Sequence, residues 1–363
     1  MKKKFLTLSL LTSVLLPKVV HAEDNDVPKF GGYVIGKYAY NDDEAVNSTL
    51  GFSLRMFRLY VKGSALKDFN YFMQMEMSGA HDNNSGPRVL DAYGEWCKFD
   101  EFQVRIGQFN RSFAFEPAIS PWNVGYGDYS QATLKLVGGI DRNGEYSSVT
   151  RDVGVQIQGD LLKNNNGSHS LLHYQIGMFN GQGINHSDLN SEKDIMGGVW
   201  ISPIKDLRIG AFGWLGSYTK VLNGQKLTVD RNRMSFGIDY ESDWVFRSEY
   251  IVSQGGKLSS ILDYEYGASK SDAWYVTAGF PITKEFILYG KWDVYRDEQT
   301  PDSRISQYGL ALNWWIHNNV MLQMSYAYVD SSIIFYTQNG KTVDRNPFTK
   351  KYNLLQLQAH YRF

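Results

Sequence analysis

The chain has almost no means of covalent cross-linking. Cys97 is the one cysteine among 363 residues, which excludes an intramolecular disulfide and leaves packing and closure to supply stability; its thiol is expected to be buried and inert. Beyond the first 22 residues no run approaches 18 apolar side chains, and the mean hydropathy is -0.36, which excludes a helical membrane protein. Excess positive charge is missing too. The formal charge is -1, and residues 1–22 carry Lys2, Lys3, Lys4 and Lys18 with no acid, so without them the balance is -5. Nucleic acid is thereby excluded as a general partner.

What is present is aromatic and alternating. Phe, Trp and Tyr make up 15% of the chain, a high share for a polar sequence. Transmembrane barrels hide their hydrophobicity in every second residue and place aromatic girdles at both membrane surfaces. The opening "MKKKFLTLSLLTSVLLPKVVHA" has a basic start, a short apolar stretch and small residues before Glu23, the layout of a cleaved export signal over residues 1–22. The mature chain, 23–363, is then expected to be one domain in the outer membrane, in contact with its lipid.

Alternation recurs along the mature chain. "FNYFMQMEMSG" puts Phe69, Tyr71, Met73, Met75 and Met77 on one face, with Asn70, Gln74, Glu76 and Ser78 on the other. The chain ends in the same way. Phe363, Tyr361, Ala359, Leu357 and Leu355 share one parity, Arg362, His360, Gln358 and Gln356 the opposite one. Sixteen such segments can be counted, near 30–40, 50–62, 68–79, 88–98, 101–110, 150–162, 169–180, 192–203, 206–218, 230–241, 243–254, 271–281, 285–296, 304–316, 319–330 and 351–363. Links after even-numbered segments are short and those after odd-numbered ones generally longer. This predicts an all-β fold: a transmembrane antiparallel β-barrel of about sixteen strands, short turns on one rim and external loops on the other. Arg55 and Arg58 have opposite parity, so a bulge is expected near Met56 or Phe57.

The link from Arg111 to Ser148 is by far the longest, and a third external loop of that length is expected to fold inward and narrow a water-filled lumen. No catalytic motif emerges. "GSHSLLHY" offers His169 and His173, but four residues of strand separate them by roughly 13 Å, too far to share a metal. The protein is read as a non-enzyme needing no cofactor and no metal.

A pore's chemistry is the charge along its wall. Inward parity selects Arg105, Arg231, Arg233, Arg247 and Lys291 as candidate anion contacts, and the long loop adds Arg111, Lys135 and Arg142, with Arg151 just beyond. Guanidinium suits oxyanions because its planar fork donates two parallel hydrogen bonds. Glu76, Asp91, Glu95, Asp160, Asp239, Glu249 and Asp293 share those inward faces, and Glu116, Asp128, Asp141 and Glu145 lie in the loop. Pairing among them would pass small hydrophilic solutes of either sign.

The stretches "KFGGYVIGKY", "RLYVKGSALKDFNYFMQME", "VLDAYGEWCKFDEFQVRIGQFNRSFAFE", "DRNGEYSSVTRDVGVQIQGDLL" and "YQIGMFNGQGINHSDLN" resemble the phosphate-selective porin O and P family of outer-membrane proteins, especially its Bacteroides-like versions. The resemblance implies a homotrimer and phosphate contacts from lumenal arginines and lysines. The expected function is a diffusion porin for small hydrophilic solutes with an anion or phosphate bias. The alternative is a structural or accessory barrel whose lumen is plugged by the loop aromatics Phe113, Phe115, Trp122, Tyr126 and Tyr129.

Overall fold

Alternating side chains can serve two solvents only if the sheet has no edge, and the chain closes one. The computed structural model describes residues 27–43, 50–78, 86–139, 141–145, 150–164, 167, 169–258, 265–266, 270–299, 303–333 and 348–363. The leader expected over 1–22 lies outside the described residues.

Sixteen antiparallel strands form a closed barrel. The first half comprises β1 (Lys29–Asn41), β2 (Leu50–Leu66), β3 (Phe69–Glu76), β4 (Arg88–Phe99), β5 (Phe102–Asn110), β6 (Arg151–Lys163), β7 (Ser170–Phe179) and β8 (Asp194–Ile201). The second comprises β9 (Leu207–Leu215), β10 (Asn232–Glu241), β11 (Val245–Gln254), β12 (Lys270–Pro281), β13 (Phe286–Arg296), β14 (Arg304–His317), β15 (Val320–Ile333) and β16 (Phe348–Arg362). Each strand coincides with one of the sixteen expected segments. Two small hairpins, Ser217–Leu222 with Gln225–Asp230 and Lys257–Leu258 with Glu265–Tyr266, belong to the long-loop rim.

Closure joins β1 to β16, from Tyr33 opposite Arg362 to Asn41 opposite Leu354. The final residue takes part: Gly32 and Phe363 exchange backbone hydrogen bonds of 3.1 and 3.0 Å. The Phe363 and Tyr361 rings lie on the outer surface, whereas Gln358 and His360 are buried inside. A terminal aromatic is therefore a member of the lipid-facing row, where its burial in hydrocarbon contributes about 1.5–3 kcal/mol.

The two parities separate cleanly in β3. Met73 and Met75 are 50% and 40% exposed on the outside, while Gln74 and Glu76 are 8% and 1% exposed within. The strand stops at Glu76, so Met77 does not complete the methionine row as the alternation had implied. Outward aromatics gather at two levels. Trp244 with Phe280, and Phe286 with Trp314, stack at the short-turn rim. Tyr250, Trp274, Trp292 and Tyr308 adjoin one another toward the other rim. Such girdles hold a barrel at the two membrane interfaces.

Two expectations are corrected in detail. The bulge falls at Arg55, one residue before the expected place, because Ile35 pairs with Met56 while Gly36 pairs with Leu54. The extra residue lets Arg55 and Arg58 both point inward, and both are buried. Cys97, expected to be buried, is half-buried, with its Sγ 3.1 Å from Asn70 Nδ2.

Candidate functional site

The segment after β5 turns into the barrel rather than away from it. Its neck is tied where the Arg111 N–H donates to the Thr150 carbonyl (2.9 Å) and the Thr150 hydroxyl to Asn110 (2.7 Å). Ala114 and Thr150 adopt φ of 67° and 68°, left-handed values that non-glycine residues take at some strain, and they mark the reversals at the two ends of the loop. A helical turn, Gln131–Thr133, opens with Ser130 as its cap, the Ser130 hydroxyl accepting from the Thr133 N–H at 3.1 Å.

The loop has few helical or strand bonds of its own, so the barrel wall satisfies its backbone. Glu249 on β11 accepts from the N–H groups of Phe115 and Glu116, both at 2.8 Å, and from the Tyr275 hydroxyl at 2.8 Å. Asp293 on β13 accepts from the Gln131 N–H at 2.8 Å. Asn313 and Gln323 donate to the Gly125 carbonyl at 2.9 and 3.0 Å. Aromatic packing follows the same wall: Phe113 meets Trp214, Phe115 meets Phe212, and Trp122 sits between Tyr33 and Trp315. The loop thus lies along the arc from β8 round to β16 and β1.

This explains where the expected anion contacts go. Arg231, Arg233, Arg247 and Lys291 do point inward, but the loop covers them and each is at most 6% exposed. Arg233 forks onto Asp141 at 2.6 and 2.8 Å. Arg231 bonds Asp194 at 2.8 Å and also Glu145, which reaches Arg111 at 2.7 Å. Arg247 donates to the Val124 carbonyl at 3.0 Å, and Lys291 to the carbonyls of Asp128 and Tyr129 at 3.2 and 3.1 Å. They are loop anchors, not charges facing open water. Burial alone would raise the Asp141 carboxyl, yet the Arg233 guanidinium against it holds it below its ordinary value.

Arg142 and Lys135 stand at the mouth. Arg142 is buried against the Gly255 carbonyl and lies 3.6 Å from Asp297. Lys135 borders a cavity of about 300 Å³ that Arg142, Lys257 and Arg304 also line. Burial, and secondarily the Lys257 charge, pull the Lys135 ammonium below its usual value.

The opposite arc is covered only in part, with Arg55 on β2 and Gln156 on β6 bonded to Asp128 and Ser112 of the loop. A cavity of about 210 Å³ separates loop residues 117–121 and Tyr129 from the inner wall of β2 to β6. Its charged lining is Arg58, Asp91, Arg105 and Arg151. Arg105 pairs with Glu95 at 2.8 Å, Arg151 with Asp91 at 3.1 Å and Arg58 with Glu76 at 2.9 Å. Of the candidate residues, then, only Arg105 and Arg151 face this space. Arg58 was not among them. Its signal was the parity conflict with Arg55, which located the bulge but was not followed to the side chain it turned inward.

The histidines of "GSHSLLHY" do structural work. His173 stacks on Trp200 with ring centroids 3.8 Å apart and contacts Asp160 at 2.9 Å, while His169 lies 3.0 Å from the Ser202 carbonyl. Among the described residues no group of His, Cys, Asp or Glu is arranged to hold a metal.

Residues 31–180, which span β1 to β7 and the inward loop, match the family described as "Phosphate-selective porin O and P". The chain has a porin barrel. In shape it is similar to an anion-selective porin from Comamonas acidovorans, with a TM-score of 0.67 and 15% identity over 93% of this chain and 100% of that one. OmpT of Vibrio cholerae in its trimer form gives 0.61 and 12% over 94% and 100%, and Salmonella typhi OmpF gives 0.62 and 10% over 94% and 98%. Identities this low establish the fold alone. No curated protein matches the sequence. The family match covers 150 of the 363 residues, and the barrel shares the fold of these porins.

Proposed function

We propose that the protein is a passive outer-membrane diffusion channel for small hydrophilic solutes, narrowed by the loop over residues 111–148. One observation carries this reading: the loop is bonded chiefly to one arc of the wall, with Arg55–Asp128 and Ser112–Gln156 as ties to the other, and a polar cavity separates its residues 117–121 from the β2–β6 wall. Solutes would pass between residues 117–121 and the β2–β6 wall, following their gradients without an energy source. Any anion bias would arise chiefly at Arg105, and it would be slight because Arg105 faces Glu95, while Arg58 and Arg151 beside the same cavity are buried against Glu76 and Asp91. Arg231, Arg233, Arg247, Lys291, Arg111 and Arg142 would set the width of the opening by holding the loop, with Lys135 at its mouth. Export would remove residues 1–22, leaving Glu23 as the first residue. Three copies would associate, in keeping with the trimer form of one structural neighbour.

A specific observation favours the plugged accessory barrel: Phe113, Phe115, Trp122 and Tyr126 are all buried. Planar-bilayer recording separates the readings. Stepwise, ohmic current from the purified protein is expected, and its absence at any voltage returns the barrel to the accessory role.

A further inference from the structure

Four successive strands each place an aromatic ring on the inward, polar parity: Tyr60 on β2, Phe72 on β3, Tyr93 on β4 and Phe109 on β5. Their centroids follow one another at 6.0, 5.7 and 5.8 Å. Tyr60, Phe72 and Tyr93 are half-buried, and Phe109 is covered where the stripe passes under the loop. Phe72 and Tyr93 border the open cavity. Rings on the lipid side are required by the membrane; a row of them on the water side is not, since a wall that only excludes by size needs no apolar surface there.

The polar groups beside the stripe have an unusual balance. Arg105 lies 4.5 Å from the Tyr93 centroid and is bound to Glu95, which also accepts from Gln158 at 3.0 Å. Arg58 and Arg151 are matched by Glu76 and Asp91. Every cation facing the cavity has a carboxylate beside it, so the strip offers little net charge to a free anion. It offers donors and acceptors side by side, next to flat apolar rings. A pyranose has that same division: a C–H face that packs on an aromatic ring, and a rim of hydroxyls that both donate and accept.

We propose that Tyr60, Phe72 and Tyr93 form a binding track for neutral saccharides, with short linear glucans as the class of solute. The rings take successive sugar faces, and Arg105, Glu95 and Gln158 take the hydroxyls. This rests on the channel reading above and deepens it by naming the solute.

The test is current block by maltopentaose and cellopentaose in planar bilayers, with a polyethylene glycol of matching mass as the size control. Saturable block by at least one sugar and none by the polymer is expected. Tyr60→Ala, Phe72→Ala and Tyr93→Ala should each weaken that block by about three- to tenfold, while the open conductance is kept or raised. Met73→Ala, on the lipid side of the same strand as Phe72, should leave block unchanged. Current that neither sugar blocks, or block equal in all four variants, overturns the track and leaves the channel reading standing. If the protein carries no current, the channel reading fails. Calorimetric titration of the detergent-solubilised protein with the same sugars then decides the track: heat that disappears in Phe72→Ala upholds it, and no heat overturns it.

Discussion

The arc of wall from β8 to β16 and the arc from β2 to β6 use the same inward alphabet of arginine, carboxylate and aromatic residues, yet they end in different solvents. Arg233 on the first has a side chain 0% exposed, whereas that of Arg105 on the second is 22% exposed. The two also differ in where the partner comes from. Arg105 faces Glu95 in the β4–β5 register, and Arg58 faces Glu76 in the β2–β3 register, so the wall satisfies itself before any loop arrives. Arg233 reaches instead to Asp141, and Arg231 to Glu145, both in the inward loop. The Arg105–Glu95 pair is wetted and the Arg233–Asp141 pair dry. Origin alone does not decide exposure: the cross-strand pair Arg58–Glu76 is buried, and the wall-to-loop pair Arg55–Asp128 leaves the Asp128 side chain 46% exposed.

The largest effect should come from breaking a wall-to-loop pair. Glu145→Gln removes the charge shared by Arg111 and Arg231, leaving two buried guanidiniums with one carboxylate fewer. A loss of about 3–5 kcal/mol is expected for such a break, read from urea unfolding in lipid vesicles and from faster proteolysis of the loop. Glu95→Gln on the open arc, partly wetted, should cost only about 0–1 kcal/mol. Equal costs for the two would erase the distinction between the arcs.

Selectivity should respond in the opposite order. Arg105→Glu places two carboxylates side by side at the opening, and the cation-to-anion permeability ratio is expected to rise about two- to fivefold. The same change at Arg233 should destabilise the loop and make the current noisy without a defined shift of reversal potential. A clean shift from Arg233→Glu would mean that this guanidinium does face the solute path.

Acid should loosen the clad arc first. Asp141 is held below the ordinary 3.8 by Arg233, and Asp297 by Lys257 and Arg142, in each case against the opposing effect of burial. A carboxyl depressed on folding contributes stability that is complete above its unfolded value and is lost as pH falls through the folded one. Between pH 5 and 8 the current should therefore be quiet, with flicker setting in only below about pH 4. Flicker that begins near pH 6 would implicate other groups.

Parity made the fold legible because hydrocarbon and water are the most different solvents a strand can meet. All sixteen strands, the closing role of Phe363 and the loop that turns inward could be anticipated from alternation and link length. The bulge was legible to within a residue. Which arginines face water was not. Arg105 and Arg233 look alike along their strands, and what separates them is the path of a loop drawn in by Glu249, Asp293, Asn313 and Gln323, residues more than a hundred positions away in sequence. Phe72 was missed for a different reason. Expecting the inward face to be polar, one passes over an aromatic between Asn70 and Gln74, although its position on the polar parity was the signal.

The smallest effect tests whether the clad arc is as dry as its ion pairs imply. Lys135 is half-buried at the mouth, near Lys257, and its ammonium is pulled below its usual value first by burial and then by that neighbour. A base depressed on folding binds fewer protons in the folded than in the unfolded chain, so stability rises with pH across that interval. Replacing it with methionine keeps the length and apolar stem while removing the charge that the site disfavours. Lys135→Met should thus stabilise the docked loop by about 0.5–1 kcal/mol and flatten the alkaline rise, both measurable by urea unfolding at pH 7 and pH 10. A destabilised variant would show that Lys135 answers to Asp141 and Asp297 more than to its burial, and the mouth would then belong with the wetted arc.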